Sequence, residues 1–259
     1  MILVGAPTGA GKTTLAVQLA TTAAQAGGAV LLVSPEMSLE SLVEREIIRR
    51  SGERLWNRNP WLWEGPVRDR CVAEHAKAAV EIATERLPIL VLEELDVTMA
   101  GIESAAKVAA KEHGRLALVV IDYAQYVAST QDKYTPRYLQ VGEVAERSVA
   151  MALRLNVPVV VASQVNLVKE GGGKRTYTFR ESQILEHKAS VVLVIDAQWA
   201  EQNGERTIER TDLVCLKNRS GQTFRLEVEY DPALYQISEK SAWVSHQPQH
   251  SLLPPPVPA

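Results

Sequence analysis

The sequence predicts a protein of the α/β class, built on a mostly parallel twisted sheet with helices on both faces. Short apolar runs of strand length alternate along the chain with longer segments of helical periodicity. Several runs are apolar at every position, as expected of parallel strands that are buried on both faces. The last two runs are separated only by a short polar turn, which predicts a C-terminal antiparallel hairpin.

The individual elements follow from the same patterns. Strands are predicted at residues 2–4, 29–34, 89–93, 116–122, 157–163, 190–196, 208–217 and 224–230. Helices are predicted at about 12–25, 39–50, 69–86, 100–113, 136–155 and 180–187, the second of them capped by Ser38. Residues 164–179 are predicted to form a long loop. The irregular segment 51–67 is expected to hold a packing cluster of Trp56, Trp61 and Trp63.

A Gly-rich turn joins the first strand to the first helix and fits the phosphate-binding loop G-x-x-x-x-G-K-[ST], with Ala6 in place of the first glycine. Glycines let backbone N–H groups curl around phosphate oxygens, and the helix directs its positive end at them. Lys12 is suited to the β- and γ-phosphates and Thr13 to Mg²⁺. The predicted nucleotide-binding residues are Ala6, Pro7, Thr8, Gly9, Ala10, Gly11, Lys12, Thr13 and Thr14.

Three further polar residues follow predicted strands and are candidates for the same site. Asp122 ends a buried strand and is suited to hold Mg²⁺, or else to cap a helix. Because Tyr123 follows it, the water-activating carboxylate is sought elsewhere, and Glu36 is the best candidate. Gln164 is placed to hydrogen-bond the γ-phosphate or the attacking water. Since parallel strands open onto one crevice at their carboxyl ends, these residues are expected to converge.

Composition limits the remaining possibilities. A formal net charge of −3 excludes a global basic field, so any nucleic-acid binding must be local. Cys71 and Cys215 show no metal-ligand spacing and are expected to be reduced core residues of a cytoplasmic protein. No apolar run reaches the length of a membrane span. We expect one domain over residues 1–240 and a Pro-rich, disordered tail over 241–259.

Five short motifs, in order along the chain, resemble those of DnaB-like replicative helicases. The family's S-L-E-M-S, I-D-Y-L-Q, N-V-P-V-I-A-L-S-Q-L-N, R-E-S and K-N-R-x-G are matched by residues 34–38, 121–125, 156–166, 180–182 and 217–221. Together with the phosphate-binding loop they cover residues 1–230. The resemblance implies the RecA-like P-loop NTPase fold and the motor domain of a hexameric, ATP-driven DNA helicase that moves 5′ to 3′ on single-stranded DNA.

The resemblance also implies roles for individual residues. Glu36 corresponds to the catalytic glutamate, Asp122 to the Mg²⁺ carboxylate and Gln164 to the γ-phosphate sensor. Lys217 and Arg219 correspond to a basic finger that reaches the nucleotide of a neighbouring subunit. The implied cofactors are ATP and Mg²⁺, and the implied partners are single-stranded DNA and replication proteins such as a loader or a primase.

DNA contact is predicted in and beside the segment 165–179. Glycines and cations there are suited to backbone phosphates, although a solvated charged loop remains the alternative. The candidate residues are Lys169, Lys174, Arg175, Arg180 and Glu181. Gln183 stands where the family has a glycine. The chain also begins at the first core strand, so we expect a fragment, a phage-type minimal protein or a degenerate paralogue.

Two functions of different classes remain open from the sequence. The first is a motor that couples ATP hydrolysis to movement on single-stranded DNA, which the motif matches at 180–182 and 217–219 favour. The second is a RecA-type regulatory or recombination ATPase that acts as a nucleotide-controlled switch without unwinding DNA.

Overall fold

A computed structural model of the protein describes residues 1–53, 66–127, 136–169, 175–179, 183–202 and 205–240. Its helices are α1 (Lys12–Gln25), α2 (Leu39–Ser51), α3 (Pro66–Glu85), α4 (Met99–His113), α5 (Arg137–Leu155) and α6 (Gln183–Lys188). Its strands are β1 (Ile2–Ala6), β2 (Ala29–Val33), β3 (Ile89–Leu92), β4 (Leu116–Ile121), β5 (Val159–Lys169), β6 (Arg175–Phe179), β7 (Val191–Gln202), β8 (Glu205–Asn218), β9 (Phe224–Asp231) and β10 (Gln236–Glu239).

The ten described strands form one mixed sheet in the order β10-β9-β8-β7-β1-β5-β4-β2-β3, with β6 paired to β5. The pairs from β7 through β3 are parallel, whereas β8, β9 and β10 continue the sheet with antiparallel pairs. Strand β1 lies between β5 and β7, at the centre of the sheet. The predicted α/β class, with its C-terminal antiparallel strands, is confirmed.

The sheet carries an apolar core on each face because successive strand residues point in opposite directions. Leu3 belongs to one core, where Ile102 of α4 and Val144 of α5 pack against the sheet. Val4 belongs to the other, which is covered by α1 through small side chains such as Ala20. The two cores confirm helices on both faces and fix β1 between two packed layers.

The prediction of a long loop at residues 164–179 is wrong for the part that the structure describes. Strand β5 continues to Lys169 and pairs with β6 as an antiparallel hairpin, with Val165 opposite Phe179. The glycines and charged residues over 169–175 favoured a loop in the sequence analysis, although residues 176–179 alternate polar and aromatic side chains. Strands β7 and β8 also extend farther than predicted, and β10 was missed.

Several other expectations concern the tryptophans, the cysteines, the tail and membrane spans. Trp56, Trp61 and Trp63 lie outside the described residues, as does the tail 241–259. Cys71 and Cys215 are buried free cysteines. Among the described helices, none combines the length and apolarity that a membrane crossing requires.

Gly5 provides a test of the contact between β1 and the hairpin β5–β6. A Cβ at this position would lie 2.4 Å from Val165 Cγ2 and 2.7 Å from Phe179 Cε1, so the hairpin would have to shift. We expect Gly5→Ala to lower the free energy of unfolding by about 1–3 kcal/mol, measured by urea denaturation.

Gly101 in α4 gives the matched control. A Cβ there has the Thr98 hydroxyl at 3.6 Å as its nearest neighbour outside the local helix backbone. Gly101→Ala should therefore keep or raise stability, by up to about 1 kcal/mol. Equal unfolding midpoints for Gly5→Ala and the parent protein would contradict a close contact at Gly5.

Candidate nucleotide site and its surroundings

The turn between β1 and α1 has the conformation that an anion-binding loop requires. Gly9 and Gly11 adopt φ values of 78° and 96°, which residues with a side chain disfavour. Gly11 is the N-cap of α1, and no side chain caps this helix start. The first N–H groups of α1 are therefore free of helical acceptors and lie at the positive end of the helix.

The structure explains the alanine in place of the first glycine of the motif. Ala6 is the last residue of β1, pairs with Gln164 of β5 and is completely buried in an apolar core. Its φ is not positive, in contrast to those of Gly9 and Gly11. A methyl group at position 6 therefore serves packing and leaves the loop conformation unchanged.

A cavity of about 480 Å³ opens above this loop. It brings together most of the residues predicted to bind nucleotide, together with Glu36 and Gln164 from neighbouring strand ends. Its lining residues are Thr8, Gly9, Gly11, Lys12, Thr13, Thr14, Glu36, Met37, Arg45, Tyr123, Gln164, Tyr230, Pro232 and Tyr235. Ala6, Pro7 and Ala10 belong to the loop but are not among the residues that line this cavity.

Lys12 is a partly buried cation at the centre of the site. Its Nζ atom donates a hydrogen bond to the Ala6 carbonyl oxygen at 3.5 Å and lies 5.5 Å from the ring centroid of Tyr123. Burial lowers the pKa of Lys12, while the carboxylates of Asp122 and Glu36 act in the opposite direction. An anionic ligand in the cavity would further stabilise this ammonium group.

Asp122 has the features of a metal-binding carboxylate. Its side chain is 4% exposed, and its Oδ1 atom has no hydrogen-bond partner among the described residues. Burial raises the pKa of Asp122, although a hydrogen bond from Thr13 and the charge of Lys12 oppose the shift. A carboxylate oxygen and a threonine hydroxyl side by side are oxygen ligands of the kind Mg²⁺ prefers, with waters and phosphate oxygens completing the shell.

Tyr123, which follows Asp122, lines the site with an uncharged phenol. Burial, with a smaller contribution from Tyr126, raises the pKa of the Tyr123 phenol to about 12. It therefore stays protonated near neutral pH and cannot accept a proton from water there. Glu36 remains the carboxylate suited to that task, since it lines the cavity while Asp122 is buried beneath it.

Hydrogen bonds fix the start of α2, which Glu36 precedes, and the side chain of Gln164. Glu36 precedes α2, where the Ser38 hydroxyl accepts a hydrogen bond from Ser41 N–H at 3.3 Å. The carboxylate of Glu93 accepts another from Leu39 N–H at 2.7 Å. Gln164 Nε2 donates to the Thr8 hydroxyl at 3.2 Å, which ties the middle of β5 to the phosphate-binding loop.

The sequence analysis missed the tyrosines Tyr230 and Tyr235, which form an aromatic wall of the cavity. Tyr230 covers Gly11 so closely that a Cβ there would lie 3.0 Å from its ring, and Thr14 donates a hydrogen bond to its phenol. Burial raises the pKa of Tyr230. Tyr235 also lines the cavity, and the Arg45 guanidinium lies 4.6 Å from its ring centroid. Tyr230 and Tyr235 lie more than two hundred residues after the phosphate-binding loop in the chain, so no local sequence pattern connects them with it.

Lys217 and Arg219 are not brought to this cavity. Asn218 pairs with Val191, which pairs with Ile2, so both cations lie at the edge where β1 begins. Lys217 Nζ donates to the Glu186 and His187 carbonyl oxygens at 2.8 and 3.0 Å, and Arg219 Nη2 donates to the latter at 3.0 Å. The length of β1, roughly 15 Å, separates them from the phosphate-binding loop of their own chain.

The structure describes only part of the predicted DNA-binding set. Lys174, Arg180 and Glu181 lie outside the described residues, and Lys169 is described only as part of the β5 backbone. Arg175 is 15% exposed and forms an ion pair at 3.0 Å with the completely buried Asp196 of β7. DNA contact by Arg175 stays a prediction, and the ion pair gives this residue a structural role.

That ion pair belongs to a buried charge network between the hairpin β5–β6 and the strands β7, β8 and β9. Tyr177 donates a hydrogen bond to Asp196 Oδ2 at 2.8 Å and accepts one from Arg225 at 3.0 Å. Arg225 also donates to Asp212 at 2.8 Å. Because buried charges are stable only when paired, this network fixes the hairpin relative to the antiparallel strands.

Comparison with known proteins identifies the family. The sequence matches the DnaB-like helicase C terminal domain over residues 1–239. The chain belongs to this family. The predicted resemblance is thereby confirmed over nearly the whole described chain, and membership makes this a nucleotide-binding domain.

Individual relatives agree with this assignment. The chain is 25% identical over 250 residues to the replicative DNA helicase DnaB of Haemophilus influenzae, covering 89% of this chain and 49% of that protein. It spans about half the length of the curated relatives that it matches.

Two solved structures share the fold. One of them, described as an ATPase domain, superposes with a TM-score of 0.76 at 19% identity, covering 93% of this chain and 84% of the other. The other, a DnaB-like replicative helicase described with its interactions with primase, superposes with a TM-score of 0.77 at 18% identity. The match covers 93% of this chain and 57% of the other.

Proposed function

We propose that this chain is the ATP-hydrolysing motor domain of a replicative DNA helicase, formed by residues 1–240. The observation that supports this most directly is the convergence of Lys12, Glu36 and Gln164 on one cavity, with Thr13 and Asp122 at its base. Family membership supports the same function. The alternative, a switch that does not unwind DNA, is not favoured by any of these observations.

The substrate of the cavity is ATP, and each residue has one task in its hydrolysis. Water attacks the γ-phosphorus, the bond to the ADP oxygen breaks, and Glu36 accepts the proton that the water loses. Lys12 offsets charge on the β- and γ-phosphates, and Gln164 hydrogen-bonds the γ-phosphate from its position beside Thr8. Thr13 and Asp122 would hold Mg²⁺, which would supply further positive charge near the phosphates.

The aromatic wall accommodates the other end of the nucleotide. Tyr230, beside Gly11, and Tyr235 both line the cavity, and their rings offer flat apolar surfaces for a base. This leaves the phosphates to the backbone N–H groups and to Lys12, so each part of the ligand meets a surface of matching chemistry.

We propose that the motor moves on single-stranded DNA and binds it through residues in and beside the segment 165–179. Lys169, Lys174, Arg175, Arg180 and Glu181 are the proposed contacts. Contacts to phosphates alone predict binding without sequence preference. We further propose a hexameric ring, 5′ to 3′ movement, a loader or primase as partner, and a cytoplasmic location. One solved relative is described with its interactions with primase.

The first test concerns hydrolysis. Lys12→Ala should abolish Mg²⁺-dependent ATP turnover because the charge at the β- and γ-phosphates is lost. Glu36→Gln should bind ATP like the parent protein yet lose turnover, since an amide does not accept the proton from water. Phosphate release and equilibrium nucleotide binding are the measurements, and turnover by Glu36→Gln at the parent rate would exclude Glu36 as the base. Strand displacement on a tailed fork then separates a motor from a switch.

The second test concerns DNA and takes the structural role of Arg175 into account. Reversal of Arg175 would place two carboxylates together at Asp196, so Lys169→Glu and Lys174→Glu are the informative changes. They should weaken binding about equally on all single-stranded sequences. They should also flatten the slope of log K against log salt by roughly 0.7 for each phosphate that is no longer neutralised.

Lys77→Glu, at an exposed lysine of α3, is the control for an added negative charge. It should leave the affinity for DNA and its salt slope unchanged. Unchanged binding by Lys169→Glu and Lys174→Glu would move the DNA site away from the hairpin.

The third test concerns Arg219 and assembly. Since Arg219 lies at the edge opposite its own cavity, we propose that it reaches the nucleotide of a neighbouring subunit. Arg219→Ala should bind ATP but hydrolyse it about 10³-fold or more slowly, the effect of arginine fingers in other systems. Mixing it with Lys12→Ala should restore part of the activity, because some interfaces pair an intact site with an intact finger.

Mixed oligomers must be shown to form in this experiment, for example by native mass spectrometry. If they form and no activity returns, the role of Arg219 in a neighbouring site is wrong. Mixing Arg219→Ala with itself provides the baseline.

A further inference from the structure

Gln18 links the helix that follows the phosphate-binding loop to the last strand of the sheet. It lies on α1 and is half-buried. Its Nε2 atom donates a hydrogen bond to the Ile237 carbonyl oxygen at 2.9 Å, and its Oε1 atom accepts one from Ile237 N–H at 2.7 Å. The side-chain amide of Gln18 therefore bonds both the N–H and the C=O group of Ile237, as the backbone of a neighbouring strand would.

Ile237 is the residue whose position matters most for the aromatic wall. It lies directly opposite Tyr230 in the antiparallel pair of β9 and β10. Tyr230 covers Gly11 of the phosphate-binding loop. By holding Ile237 against α1, Gln18 fixes the distance between that loop and the strand pair that carries Tyr230.

Tyr235, two residues before Ile237, has a backbone conformation that depends on its surroundings. Its φ is 49°, in the left-handed region that a bulky residue adopts only where other contacts hold it. On one side the turn is closed by Asp231, whose Oδ1 accepts hydrogen bonds from Ala233 and Leu234 N–H. On the other side the chain is held by the two bonds from Gln18.

We propose that Gln18 is a positioning residue for nucleotide binding, acting through Tyr230 and Tyr235 on the base of the nucleotide. Gln18 is not among the residues that line the nucleotide cavity, so it acts through residues that are. The phosphates are held by the loop and by Lys12, which Gln18 does not contact through any hydrogen bond described. The inference rests on the proposed function, since it assumes that the cavity takes a nucleoside triphosphate.

The test compares a ligand that has a base with one that lacks it. Calorimetry with Mg²⁺ gives the affinities of ATP and of inorganic tripolyphosphate for the parent protein and for Gln18→Met. Methionine keeps the length of the side chain but makes neither hydrogen bond. We expect Gln18→Met to lower the affinity for ATP by about 5- to 100-fold, the range for loss of base–aromatic stacking. Its affinity for tripolyphosphate should stay within about twofold of that of the parent protein.

Gln25→Met, at an exposed position at the end of α1, is the matched control and should change neither affinity. In turnover, Gln18→Met should raise KM for ATP and leave kcat at saturation within about twofold. A double-mutant cycle tests whether Gln18 acts through the aromatic wall. Once Tyr235→Ala has removed that ring, Gln18→Met should lower the affinity for ATP by clearly less than it does in the parent protein.

The outcomes are distinguishable. Equal loss of ATP and tripolyphosphate binding by Gln18→Met would mean that α1 and the loop are disturbed as a whole, which overturns the inference. Unchanged ATP binding, or full additivity with Tyr235→Ala, would overturn it as well. A parent protein that binds neither ligand would contradict the proposed function itself, and the inference would fall with it.

Discussion

The candidate site depends on the parallel alignment of four adjacent strands, β1, β5, β4 and β2. They bring four candidate features together: the phosphate-binding loop follows β1, Asp122 follows β4, Glu36 lies beyond the end of β2, and Gln164 of β5 pairs with Ala6 at the end of β1. The alignment itself is held by apolar side chains on both faces of the sheet. The polar residues of the site are thus positioned by apolar packing that is not itself part of the site. This separation lets one edge of the sheet carry many polar groups.

Burial disfavours the charged forms of both Lys12 and Asp122 at this edge of the sheet. It lowers the pKa of Lys12 and raises the pKa of Asp122, because in each case the charged form loses contact with water. The two groups oppose each other's shifts, and Asp122 keeps one oxygen without a hydrogen-bond partner in the described structure. A ligand that brings both a cation and an anion relieves both groups at once. These opposite shifts are consistent with the proposed binding of a nucleoside triphosphate together with Mg²⁺.

Sequence patterns were sufficient for the parts of the molecule that are local in the chain. Buried parallel strands, the loop before α1 and the N-cap at Ser38 each leave a signal within a few residues. Contacts between distant segments leave none, so Tyr230 and Tyr235 were missed although they line the cavity. Arg175 was interpreted from its charge as a DNA contact, while its pairing with Asp196 could be seen only after β6 and β7 had been placed in space.

The placement of Lys217 and Arg219 at the edge opposite the cavity has a consequence for symmetry. If these cations complete a site, the two surfaces that meet are different ones, and the contact is heterologous. A two-fold contact would complete both sites only if the cavity and the cations lay within one shared patch, whereas here they lie at opposite edges of the sheet. Head-to-tail repetition of such a contact either closes into a ring or continues as a helical filament, depending on the rotation from one copy to the next. The direction of the strands in a single domain thus favours a head-to-tail contact as the active arrangement.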